Sequence, residues 1–406
     1  MKMDLNANKY IANKFSRKEI MATKKLLKKG LDDSWKNNII FENKFSDYMN
    51  VKHTLACSNG TTAMEEALWA CGVQSGDEVI APIMTYWASA FPAKILGANL
   101  KYADIDSRTL CIDPVDIERK ITAKTKAIIA VHLYGHPCNM DAIMCIAKKY
   151  NLKVVEDFSH AHGATYKGKT CGTIGDVGIA SCMGEKSFYL PEGAVLCTNS
   201  KEIFEKASLF GHYRYIGLRE NSIIEQGIIK RDEWRQFVGA PVGAIKNRMN
   251  PVSIAIGIER LNHFEKDIQI LTRAMLFFVK QLEKSGYYEA HHIKDENSSM
   301  GGWYSPVIFS KKNATEISKL IKSKGFNCKT GHRYFNLDEH PLNYQDYIRE
   351  NVNDEIDFYH QSNSAQFLGV DISNEHLLTI PRFTKYSKKV IQRYADIYIQ
   401  AAREAE

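Results

Sequence analysis

No stretch of this sequence stays apolar for the roughly 20 residues that a bilayer-spanning helix needs. No basic run exceeds a few residues, so the formal net charge of +7 over 406 residues forms none of the positive stripes that bind nucleic acid. A small anionic substrate suits that charge equally well. Cysteine pairs of the form C-x-x-C are missing, and the nine cysteines are an odd number. They read as reduced thiols rather than as disulfides or a zinc site. Internal repeats and low-complexity tracts are absent too. The start, MKMDLNANKY, is polar and lysine-bearing, without the apolar core of a signal peptide, so the expected compartment is the cytoplasm. Neither membrane nor nucleic acid is an expected partner, and the length is enough for two domains with large cores.

What is present centres on residues 154–196, VVEDFSHAHGATYKGKTCGTIGDVGIASCMGEKSFYLPEGAVL. Val154 and Val155 read as the end of a buried parallel strand, which brings Glu156 and Asp157 to its carboxyl edge, where open α/β sheets bind ligands. A second short strand from Asp176 to Ala180 releases Ser181. Lys186 follows in a loop that Pro191 and Gly193 keep from becoming helix. Alone, such a pair is a solvated lysine and a turn-capping aspartate. Pyridoxal 5′-phosphate, however, needs a lysine amine for its Schiff base and a carboxylate that keeps its pyridine nitrogen protonated. Both are here in order.

Upstream, His53 to Cys57 reads as a strand, followed by Ser58-Asn59-Gly60-Thr61-Thr62 and a helix. A glycine and hydroxyls at a helix N-terminus make either an anion site or an ordinary N-cap. From Glu78 to Ala103 a strand, a helix and a strand alternate in the rhythm of a parallel sheet with crossover helices. Thr85-Tyr86-Trp87 sits at the strand-to-helix transition, where two aromatics serve core packing or a shelf for a flat ring. His132 and His136 have no cysteine or carboxylate at ligand spacing, so no metal is expected. Near the N-terminus, Ser16 to Glu19 has the form of a capping box ahead of a surface helix that stops at Gly30.

The central stretch, with VHLYGHPCNMDAI at residues 131–143, resembles fold-type-I aminotransferases, and more specifically the DegT/DnrJ/EryC1/StrS sugar aminotransferase family. The resemblance implies an α/β fold: a large domain with a mostly parallel seven-stranded sheet sandwiched by helices, plus a smaller α+β C-terminal domain. The expected divisions are an N-terminal arm and helix at 1–30, the large cofactor-binding domain at 31–265 and the small domain at 266–406. It implies that Lys186 and Asp157 are catalytic, that Gly60, Thr61 and Thr62 cradle the phosphate with Ser181, and that Tyr86 covers the ring face. Trp87 is left for packing or substrate. His160 stands where the family has a glutamine that bonds the cofactor's phenolic oxygen, and an imidazole also donates to oxygen. Lys246 stands where an asparagine reaches the partner subunit's phosphate. A lysine serves there as a point charge, or is simply part of a basic turn.

The reaction implied runs from glutamate or glutamine, through pyridoxamine 5′-phosphate, to a keto sugar, by an obligate homodimer with shared active sites. The acceptor is nucleotide-linked in most members, and a free or phosphorylated sugar or cyclitol ketone in others. Dehydratases of the same fold carry histidine where Lys186 stands, which favours amino transfer. A binding or regulatory protein that had lost turnover would not need Asp157, Lys186, Ser181 and the cradle together. A mobile loop is expected from Lys206 to Arg235, and a long helix from Ile268 to Gly286. His332, Arg333 and Tyr334 face the cleft by analogy alone.

Overall fold

The computed structural model describes residues 11, 13–30, 34–212, 245–291, 295–332, 337 and 367–405. Residues 213–235 of the expected mobile loop, and Arg333 and Tyr334, lie outside these. Two helices, α1 (Arg17–Lys29) and α2 (Ser34–Met49), precede an alternation of strands and helices. It runs β1 (His53–Cys57), α3 (Gly60–Ala70), β2 (Glu78–Pro82), α4 (Pro92–Ile95), β3 (Asn99–Ala103) and α5 (Pro114–Lys120). Next come β4 (Thr125–Val131), α6 (Met140–Tyr150) and β5 (Lys153–Asp157). A short ribbon of β6 (Thr165–Tyr166) and β7 (Lys169–Thr170) leads to β8 (Val177–Ser181), β9 (Ala194–Thr198) and α7 (Lys201–Gly211). The remainder is α8 (Pro251–Leu261), α9 (Phe264–Lys284), β10 (Tyr288–Glu289), β11 (Val307–Ser310), α10 (Ala314–Ser323), α11 (Leu368–Asn374), β12 (Leu377–Thr379) and α12 (Lys388–Glu404).

Seven strands form one sheet in the order β1-β9-β8-β5-β4-β2-β3, and only β9 runs antiparallel to its neighbours. The two-residue period of the strands divides their apolar side chains between the faces. Val79, Ile129, Val155 and Ile179 pack against α3 and α7 through Met64, Ala67 and Ile203. Ile80, Ile128, Ala130 and Val154 pack against Ile117 of α5 and Ile143 of α6. Toward the β1 edge, Ala56, Ala180 and Val195 meet Phe41 and Phe45 of α2 and Ile254 of α8. Helices therefore cover both faces, as the sequence leads one to expect for a mostly parallel sheet.

The helix expected between β2 and β3 is a correction. It is broken into a 3₁₀ turn at Trp87–Ser89 and the four-residue α4, because Pro92 has no N–H to continue a ladder and instead starts a new turn. A second, three-stranded antiparallel sheet, β10-β11-β12, packs with α9, α10 and α12 around Phe278, Ile308, Ile321 and Tyr398. Helix α9 belongs to both cores. Phe264 and Ile268 join the α2 cluster, whereas Leu271 onward joins the second sheet. A division after residue 265 thus falls inside a helix of 21 residues.

The capping box is present: Ser16 Oγ accepts from Glu19 N at 3.3 Å and Glu19 Oε2 accepts from Ser16 N at 2.5 Å. The helix it starts is more than a surface element, because Glu19 is buried and its other oxygen lies 2.6 Å from Arg260 of α8.

One buried group makes the fold acid-sensitive. His162 is 1% exposed, ringed by Phe158, Phe188 and Phe264, and neither ring nitrogen has a hydrogen-bond partner among the described residues. Burial, with the nearby Lys186 and Arg382 charges, pushes its pKa down from 6.5 to about 3. Because the unfolded chain takes up that proton first, the neutral imidazole disfavours the fold progressively as pH falls below 6.5. The loss amounts to roughly 1.4 kcal/mol per pH unit at most. His162→Leu is expected to flatten this dependence. The gap between urea midpoints at pH 7.5 and 5 should be smaller in the variant than in the parent, whatever the repacking does at neutral pH, with the rest of the gap carried by groups such as the buried His332.

Candidate active site

The two acids that the sequence leaves side by side at the end of β5 go to opposite faces of the sheet. Glu156 is fully buried and accepts from Gly172 N (2.8 Å), Ile174 N and Gly175 N (both 2.6 Å) and His132 Nε2 (2.9 Å). It ties down the Gly-rich excursion. His132 Nδ1 accepts from Cys138 N at 3.0 Å, so the ring proton is on Nε2, directed at Glu156. Asp157 turns to the face of α3, where Oδ2 accepts from Ser89 Oγ at 2.7 Å and Oδ1 from Ser159 N at 2.9 Å. Two hydrogen bonds hold a carboxylate that is 5% exposed at the floor of a cleft of about 660 Å³.

The N-terminus of α3 forms one wall. Asn59 is its N-cap, with Oδ1 accepting from Thr62 N at 3.0 Å. That satisfies one of the amides that a helix start leaves without an internal partner, and Gly60 and Thr61 line the cleft. A Cβ on Gly60 would lie 3.0 Å from Ser181 Cβ, so glycine permits the close approach of the helix start to the end of β8. Thr62 turns away. Its hydroxyl bonds to Asn59 O at 3.1 Å and Asn247 Oδ1 at 2.7 Å, and it does not line the cleft.

Lys186 enters from the opposite side on the non-helical loop between β8 and β9, and is 8% exposed. The segment ahead of α1 braces this loop, with Asn13 Nδ2 donating to Gly184 O at 3.0 Å and to Lys186 O at 2.9 Å. Asn13 Oδ1 accepts in turn from Arg382 at 3.1 Å. His160, next to Asp157 in the cleft, accepts from Tyr134 N through Nδ1 at 3.3 Å, which leaves Nε2 to carry the proton. Tyr86 is 44% exposed at the cleft, whereas Trp87 packs against the main core.

Of the residues singled out from the sequence, Gly60, Thr61, Tyr86, Asp157, His160, Ser181 and Lys186 share one cleft. Lys246 does not line it. It is exposed beside Asn247, whose buried amide bonds to Ser58 N and Oγ, Thr62 Oγ1 and Glu66. Glu66 Oε2 also faces His212 Nε2 at 3.3 Å and Cys57 Sγ at 3.8 Å, so the contacts of this buried acid converge on one oxygen, while Oε1 has no partner among the described residues. His332 lies elsewhere, bonded to Ser373 Oγ at 2.8 Å, with burial pushing its pKa down to about 4. Sequence reasoning missed Ser89, Ser159, Glu185 and Tyr304 in the cleft. The double glycine ahead of Tyr304 was the available signal, since it marks close backbone approach.

The profile of the DegT/DnrJ/EryC1/StrS aminotransferase family matches residues 13–365. The chain is 40% identical over 236 residues to GDP-perosamine synthase of Escherichia coli O157:H7, covering 57% of this chain and 60% of that protein. It is 42% identical over 273 residues to dTDP-3-amino-3,6-dideoxy-alpha-D-galactopyranose transaminase of Aneurinibacillus thermoaerophilus, covering 67% and 69%. The match to the E. coli relative thus spans less than two thirds of that relative's length. The aminotransferase from Psychrobacter cryohalolentis shares the fold, with a TM-score of 0.79 at 23% identity over 97% of this chain and 98% of that one. An E. coli GDP-4-keto-6-deoxy-D-mannose-3-dehydratase shares it too, at TM-score 0.77 and 20% identity over 96% and 99%. From residue 13 to residue 365, then, this chain belongs to the DegT/DnrJ/EryC1/StrS aminotransferase family.

Proposed function

We propose that this protein is a pyridoxal-phosphate-dependent aminotransferase that moves an amino group from glutamate or glutamine to a keto sugar, nucleotide-linked as the names of its relatives suggest. The observation that carries the reading is the convergence of Lys186, Asp157, His160, Ser181 and the start of α3 on one cleft. The donor set fits the cofactor: a buried carboxylate, an imidazole with its proton on Nε2, and a helix start whose glycine lets it come close to Ser181, where a Cβ would crowd it. When bound, pyridoxal 5′-phosphate supplies an aldehyde that takes up amino groups and a ring that accepts electrons.

In this reading Asp157 Oδ2, steadied by Ser89, holds a proton on the ring nitrogen, and His160 Nε2–H donates to the phenolic oxygen. The Gly60 and Thr61 amides and the Ser181 hydroxyl hold the phosphate, favoured by the positive end of α3. Tyr86 covers the ring, and Thr62 serves one shell further out, through Asn247. Lys186 Nζ carries protons to and from the substrate carbon. Lys246, beside an Asn247 anchored on its own protomer's α3, reaches the partner's phosphate in a homodimer with shared sites. The cytoplasm is the compartment we assign. A dehydratase has less support, because lysine rather than histidine stands at 186.

The test is the visible spectrum of purified protein with pyridoxal phosphate, before and after glutamate or glutamine. The donor is expected to discharge the band and release an oxo acid, and a keto sugar to restore it while becoming an amino sugar. A band that no donor discharges would count against amino transfer.

A further inference from the structure

Three consecutive residues of the lysine loop touch one distant loop. Glu185 Oε2 accepts from Tyr304 OH at 3.0 Å, Lys186 Nζ lies 3.6 Å from the centroid of the Tyr304 ring, and Ser187 Oγ donates to Gly302 O. Tyr304 is 7% exposed, lines the cleft, and tilts against His160 with ring centroids 4.5 Å apart.

The backbone that delivers this ring is strained. Gly302, Trp303 and Ser305 have φ of 62°, 48° and 50°, a region that side chains other than glycine rarely enter. A Cβ on Gly301 would meet Ala164 N at 2.2 Å, and one on Gly302 would meet His160 O at 2.3 Å. The loop is thus pressed onto the turn that follows Asp157, the kind of over-determined strain that collects at functional sites. Its outcome is one aromatic face against the lysine amine.

We infer that Tyr304 is a positioning residue for Lys186: its ring, with the hydroxyl turned to Glu185, is the seat of the amine whenever the lysine is not covalently engaged. This rests on the reading of Lys186 as the cofactor-binding lysine. An ammonium over a ring face is held electrostatically, which keeps the long, flexible side chain near its target instead of sampling the open cleft. Tyr304→Phe retains the face and loses only the Glu185 bond. Tyr304→Leu loses the face.

The experiment mixes cofactor-free protein with pyridoxal phosphate and follows the lysine-dependent visible band by stopped flow. Borohydride trapping and mass spectrometry report the adduct at Lys186, and thermal unfolding reports the fold. Band formation in Tyr304→Leu is expected to be about 2- to 30-fold slower, the range of one such contact. Tyr304→Phe should stay within about twofold of the parent, on the same grounds, and both variants should melt with it. Tyr304→Leu at the parent's rate, or Phe as slow as Leu, would overturn the inference. If the parent itself forms no band or adduct at Lys186, the underlying assignment fails instead.

Discussion

Lys186→Ala is expected to lower amino transfer by about 10⁴-fold, the upper range for removing a positioned acid/base. The reason lies in where the chain puts this amine. It is almost buried, its loop is fixed from behind by the two Asn13 hydrogen bonds, and it shares the cleft with Asp157. No other lysine lines that cleft among the described residues. Lys186→Arg should not restore turnover, because a guanidinium keeps the charge but does not give up its proton near neutrality. Added methylamine should recover part of the activity of the alanine variant and none of the arginine variant, whose side chain fills the space. Steady-state rates with glutamate and a keto sugar, with and without the amine, decide it. Lys186→Ala with substantial unassisted turnover would remove this lysine from the mechanism.

Arg260→Met is expected to destabilise the fold by about 3–5 kcal/mol, because it leaves the buried Glu19 charge without a permanent cation, with only His263 Nε2 3.7 Å away. Both partners are within 2% of full burial, and their closest atoms are 2.6 Å apart, although not aligned as a hydrogen bond. The guanidinium also lies 3.3 Å from the centroid of the Tyr189 ring, so its removal takes a packed face with it. Adding Glu19→Gln to the same protein removes the stranded charge and keeps a glutamine suited to the capping box. Stability should then return to within about 1 kcal/mol of the parent, since buried pairs replaced together are often neutral. Urea unfolding of the parent and the two variants checks both statements. A double variant as weak as Arg260→Met would mean that arginine packing, not charge, dominates.

The alternation of strands and crossover helices, the long helix that is α9, and the capping box at Ser16 were all legible in the sequence. Hydrophobic period and cap chemistry act within a few residues of one another. The same is true of the strand ends that deliver Asp157 and Lys186, and of the helix start at Gly60. The strand pattern did not choose between Glu156 and Asp157, because both stand at one strand end, and it was the family resemblance that pointed to Asp157. Only the sheet, by giving each face its own partners, turned Glu156 to the Gly172–Gly175 backbone and Asp157 to the cleft. It likewise gave no hint that Asn13, 173 residues from Lys186, would hold that lysine's carbonyl. Nor did it show that Glu19 would pair with Arg260, or that a strained Gly-Gly loop would set Tyr304 on the amine. Local patterns fix what a segment becomes and which ends carry chemistry. Which distant side chains meet there depends on how layers stack and which backbones can approach, and those contacts exist only once the tertiary structure has formed.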